Sequence, residues 1–123
     1  MSISNYCEDK LLDAVFNAAS FSVATAYVSL HTADPGETGA DECTGGSYIR
    51  QLGSFGAASG GALANDANCV FTLMPACTVT HAGIWDAESA GNCLWAGALA
   101  ASKTLNAGDT FQINTGDLDV TLD

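Results

Sequence analysis

Basic residues are nearly missing from this chain. Lys10, Arg50 and Lys103 are the whole set in 123 residues, against fourteen Asp and Glu, for a formal net charge of −11. A surface that acidic repels phosphate, so neither DNA nor RNA is an expected partner. An acidic surface equally serves solubility alone. Charged residues of both signs reach only 14%, so the chain is not written as a disordered polyelectrolyte. No run approaches the roughly 18 apolar residues of a membrane helix, and no membrane partner is expected. The opening Met-Ser-Ile-Ser-Asn-Tyr has neither the basic nor the apolar segment of a secretory signal, which points to synthesis in a reducing cytoplasm.

Motifs of catalysis are equally scarce. Gly53-Ser54-Phe55-Gly56 lacks the spacing of a nucleophile elbow. No glycine-rich loop joins a strand to a helix as phosphate binding requires. There are two histidines, His31 and His81, and nothing in the sequence sets either beside a cysteine. None of the five cysteines forms a C-x-x-C pair, which argues against zinc. Asp34, Glu37, Asp41 and Glu42 crowd one loop, but without the ligand spacing of a calcium loop, so a solvated acidic loop is expected there. The expectation is a protein that is not an enzyme, with no cofactor and no metal.

What is present is apolar and rich in turns. Hydrophobic residues make up 48% and glycines number thirteen, as suits one compact domain with many turns. The stretch Thr78 to Phe111 reads as a β-meander, with Trp85 and Trp95 in its first two strands. Its first connection is Asp86 to Asn92, ending in Gly-Asn, where left-handed backbone is expected. Further strands are expected over Ala24 to His31, Ser47 to Phe55, Asn65 to Leu73 and Leu118 to Leu122. In the first of these, Ala26, Val28 and Leu30 share one face and Tyr27, Ser29 and His31 the other. The pattern predicts an all-β, β-sandwich or jelly-roll-like domain over residues 21–123, preceded by a helical arm over residues 1–20.

That arm is predicted as a helix of about three turns, capped by Asn5 with Glu8 completing a capping box. Leu11 with Val15 and Leu12 with Phe16 are i,i+4 pairs, read as its core-facing stripe. Ile3 and Tyr6 are then left for contact with another chain. Ile3, Tyr6, Leu11 and Arg50 are the candidate subunit contacts, Arg50 because its planar fork suits a carboxylate across a sheet or an interface. Cys69 and Cys93 sit in apolar runs as small hydrophobes. The odd cysteine count leaves Cys7 and Cys43 as candidates for a disulfide between chains.

The segments LHTADPGETG, GGSYIRQ, THAGIWDAESAGNCLWAGALAASKTLNAGDTF and GDLDVTLD, with SNYCEDKLLDAVF at the start, resemble a small family of tailed bacteriophages labelled phage tail fibre or minor virion protein. The resemblance implies a virion component, made in the host cytoplasm, and the acidic charge then favours the outside of the capsid or tail over a genome-facing surface. Of two roles the first is the expected one and the second its alternative. One is a capsid decoration or cement protein that stabilises the particle through subunit contacts with the major capsid protein, as a homo-oligomer with a trimer the favoured count. The other is a tail fibre or baseplate component involved in attachment to the host surface, alongside other tail proteins.

Overall fold

The computed structural model describes residues 2–122. It is an all-β protein with one amino-terminal helix, and all its strand pairs are antiparallel. In chain order the elements are β1 (Ser2–Ile3), α1 (Asn5–Phe16), β2 (Tyr27–His31), β3 (Gln51–Leu52), β4 (Ala62–Ala64), β5 (Cys69–Phe71), β6 (Cys77–Trp85), β7 (Cys93–Leu105), β8 (Phe111–Ile113) and β9 (Asp119–Thr121). One sheet has the order β1-β7-β6-β2-β3, and two ribbons, β4-β9 and β5-β8, complete the strands.

The β6–β7 hairpin is the spine, as the first two strands of the meander pattern predict, but the meander stops there: β8 leaves β7 and pairs with β5 in a separate ribbon. Asp86 closes its turn: Oδ1 accepts from the Asn92 N–H at 2.7 Å and Oδ2 from the Asn92 amide at 2.9 Å. Ala90 (φ 55°) and Gly91 (φ 77°) supply the left-handed backbone expected of that turn. Further along, Val79 pairs with Lys103 and His81 with Ala98. Thr80 therefore stands opposite four residues of β7, Leu99 to Ser102, and the strand bulges outward there.

Both tryptophans are buried at the head of the hairpin. The core runs from Val28, Leu30, Ala82, Ile84 and Trp95 of the sheet to Phe71 and Ile113 of the β5-β8 ribbon. Strand β2 departs from the expected alternation. Val28, Ser29, Leu30 and His31 are all buried, because the 32–43 loop folds back over the face that alternation left wet. The last strand is shorter than expected, with Leu118 buried and Leu122 exposed. In β5, Cys69 and Phe71, two residues apart, point inward. Leu73 does not, because its φ of 51° breaks the period-two pattern.

Asn65 locks the ribbons together and uses its whole amide. Its Oδ1 accepts from Gly116 N at 3.0 Å and Leu118 N at 2.9 Å, and its Nδ2 donates to the Ala67 and Asn114 carbonyls at 3.0 Å each. The residue is 5% exposed, so these four bonds replace water.

Candidate attachment surface

The amino-terminal segment is where sequence and structure differ most. Ser2 and Ile3 form β1 and pair with Ala96 and Trp95 of β7. Ser4, not Asn5, caps the helix. Its Oγ accepts from Cys7 N at 3.3 Å and donates to the Cys93 carbonyl at 2.6 Å, which fixes the start of α1 to the spine. Glu37 of the acidic loop accepts from Asn5 N at 2.6 Å, placing a carboxylate at the positive end of the helix. The helix thus has little freedom to choose which face it buries. It turns Cys7, Leu11 and Ala14 inward and leaves Leu12, Val15 and Phe16 outward at 57%, 71% and 76% exposure.

This corrects the expected core stripe. Leu11 does face inward, but Val15, Leu12 and Phe16 do not. Ile3 and Tyr6, read from sequence as spare, are half-buried and pack against the chain's own core, Tyr6 meeting Phe21 edge-on at 6.5 Å. Met1 lies outside the described residues. The outward residues stand at i, i+3 and i+4, so they form one contiguous apolar patch on the helix. Nothing in the sequence flags that patch beyond there being more large apolar residues in α1 than one face can hold. Ile49 and Leu52 near the β3 edge, and Leu73 after β5, are also exposed, at 55%, 64% and 58%.

Arg50 is not at the surface either. It is 8% exposed, and the contact expected across an interface is made inside the chain. Nε donates to Glu42 Oε2 at 3.0 Å and Nη2 to Glu42 Oε1 at 2.9 Å, a bidentate pair. Nη1 donates to the Ala87 and Ala90 carbonyls in the β6–β7 turn at 3.0 and 2.8 Å. Burial alone would raise the Glu42 carboxyl. The hydrogen bonds from Arg50 and Tyr48, with the Arg50 charge, outweigh it and hold the pKa below the ordinary value. Tyr48 donates to Glu42 at 2.6 Å and accepts from Leu30 N at 3.0 Å. Its phenol is raised by burial and by the neighbouring carboxylate.

His31 belongs to a directed chain of hydrogen bonds. Its Nδ1 lies 2.7 Å from the Ala40 carbonyl, so Nδ1 carries the proton. Nε2 is then the acceptor for Ser29 Oγ at 2.6 Å, and Ser29 in turn accepts from Trp85 Nε1 at 2.8 Å. Protonating Nε2 would leave the buried Ser29 hydroxyl hydrogen without this acceptor. Burial lowers the His31 pKa, opposed by the Ala40 hydrogen bond and by Glu42. His81 lies opposite His31 in the sheet, where Nδ1 meets Thr80 Oγ1 at 2.8 Å.

All five cysteines are free thiols. Cys7 and Cys43, the candidates for an inter-chain bond, are buried at 9% and 3% exposure, so neither sulfur is presented to another chain as expected. Of the four acids in the 32–42 loop, Glu37 and Glu42 are engaged as described and Asp34 accepts from Gly36 N at 3.0 Å. Among the described residues no three His, Cys, Asp or Glu side chains converge to hold a metal ion. A cleft of about 500 Å³ opens between the β7 bulge and the ribbons, with Leu99, Phe111 and Leu118 in its wall.

The chain matches the model of the family described as podophage GP4 fiber I protein gp80, over residues 2–121. No curated protein matches it. The chain belongs to that family of phage fibre proteins. It is therefore a bacteriophage virion structural protein, on the exterior of the tail and in association with other virion proteins. Capsid decoration, the expected role, finds no support in this family, and the fibre alternative fits it better.

Proposed function

We propose that this protein is a tail-fibre component that supports host-surface attachment by contact alone, with no catalytic step, and that it is held in the fibre through the outward face of α1. The observation that carries the contact reading is the Leu12, Val15 and Phe16 patch. Three large apolar side chains stand together in water, on a helix already fixed to its own sheet by β1 and Ser4. Solvent-exposed apolar side chains grouped in this way mark sites of association. Burying each contributes roughly 1.5–3 kcal/mol in gross terms, before ordering costs. Repeated contacts in a homo-oligomer, with a trimer the favoured count, add to the same effect. Two buried or part-buried groups able to do acid–base work support the non-catalytic reading. His31 and Glu42 are both committed to bonds that hold loops together.

The test is a phage carrying Leu12→Ser, Val15→Ser and Phe16→Ser together. Purified virions are probed for the protein and then measured for adsorption to host cells. The expected result is particles depleted of the protein that adsorb poorly. Full incorporation would remove α1 as the docking face. Depleted particles that adsorb normally would remove the attachment role. Light scattering of the isolated protein, parent against variant, reads the oligomer directly.

A further inference from the structure

Cys43 and Cys77 are 34 positions apart in sequence, yet their sulfurs meet at 3.7 Å. Cys43 N donates to the Leu30 carbonyl at 2.8 Å, which sets the end of the 32–43 loop against β2. Cys77 opens β6 and pairs with Leu105 of β7. Cys43 shares the core cluster with Cys7 and Cys69, and Cys77 packs against it, while the Cys93 thiol donates to the Trp95 carbonyl at 3.5 Å.

We propose that Cys43 and Cys77 are a latent intrachain disulfide, open in the reducing cytoplasm where the chain is made and closed by exchange with a low-molecular-weight disulfide once the particle is outside the cell. The partly exposed Cys77 reacts first. Its thiolate attacks the reagent RSSR, forming Cys77–S–S–R and releasing RS⁻. The Cys43 thiol then gives up its proton and attacks the Cys77 sulfur. The protein disulfide forms, the second RS⁻ leaves, and that thiolate takes the proton. In sum, two protein thiols lose two electrons and two protons, and one RSSR becomes two RSH.

The surroundings decide the kinetics. Burial, the largest cause, raises the Cys43 thiol above its ordinary value, so closure is slow at neutral pH and accelerates as pH rises. Cys43 lines a surface depression of about 490 Å³ whose wall includes Glu42 with its partner Arg50, and the uncompensated Glu88. With a chain charge of −11, this favours neutral or cationic disulfides over anionic ones. The closed form ties the 32–43 loop to the spine beside the Glu42–Arg50 pair, and the cross-link restricts the unfolded chain.

The experiment treats the folded, reduced protein with cystamine, 2-hydroxyethyl disulfide or oxidised glutathione over a range of pH. Samples are acid-quenched and alkylated, then read by intact mass and peptide mapping. The expected product lacks two hydrogens and carries a Cys43–Cys77 cross-link. It forms faster with cystamine than with oxidised glutathione and melts higher than the reduced protein, a gain that reductant reverses. Cys43→Ser should stop at a mixed disulfide on residue 77, and Cys77→Ser should give no cross-link. The proposal fails if the parent protein also stops at the mixed disulfide, if mapping finds a different cysteine pair, or if the folded protein does not react. Mapping of the parent needs no variant to fold.

Discussion

The Arg50 guanidinium lies 3.6 Å from the centroid of the Trp85 ring while both of its edges are engaged by hydrogen bonds. The stacking joins the end of β6 to the turn that follows it and to the acidic loop through Glu42. One cation therefore holds three separate segments, and its flat, forked shape is what allows this.

Arg50→Ala should destabilise the isolated protein by about 3–5 kcal/mol, since it strands a partly buried carboxylate and two turn carbonyls. Arg50→Lys should recover only part of this, because an ammonium cannot serve Glu42 bidentately and the turn together. Urea denaturation reads both. A lysine variant as stable as the parent would show that charge alone suffices.

Acid should weaken the fold in two stages. The folded His31 pKa is below its ordinary 6.5, so the unfolded chain takes up a proton that the folded one refuses. That contribution is complete above about 6.5 and is lost as pH falls. Glu42 is held below its ordinary 4.5, so its contribution is present above 4.5 and is lost as pH falls through the folded value. Denaturation midpoints should fall between pH 7.5 and 5.5 in the parent and change less in His31→Gln. Equal slopes in the two proteins would remove His31 from the account.

Gly83→Ala should disturb the Trp85–Ser29–His31 chain. A Cβ there would stand 2.6 Å from Ser29 Oγ and 2.9 Å from His31 Nε2. Overpacking of this kind costs about 1–3 kcal/mol. Tryptophan fluorescence should shift to the red as Trp85 loses its burial and its bond to Ser29. An unchanged spectrum with unchanged stability would mean that the cluster opens without cost.

Asn65→Asp should destabilise although it is nearly isosteric. A carboxylate can still accept from Gly116 and Leu118 but cannot donate to Ala67 and Asn114. Leaving buried carbonyls unpaired costs on the order of 1–3 kcal/mol. Urea denaturation should show the lower stability, and a midpoint equal to the parent's would show that water replaces the lost bonds.

On α1 the two faces should respond in opposite ways. Ile3→Asp with Tyr6→Asp should destabilise the isolated protein, because both residues pack on its own core. Leu12→Ser, Val15→Ser and Phe16→Ser should each change its stability by no more than about 0.5 kcal/mol. Thermal melts of the purified variants decide it. The reverse ranking would restore the helix orientation read from sequence.

The sequence by itself determined the class of structure: strands from β-branched and aromatic runs, turns from Gly, Asn and Asp, and one helix from an amphipathic start. Those signals are local, as with the Asp86–Asn92 turn and the twelve residues of α1. Tertiary structure alone decided what each face meets. Helix α1 carries large apolar residues on more than one face, so periodicity cannot say which is buried. The pairing of Ser2–Ile3 with β7 and the Ser4 bond to Cys93 set its rotation. Burial of Ser29 and His31 required a loop to return over them. Arg50 found Glu42, and Cys43 found Cys77, through chain closures that no spacing in the sequence encodes.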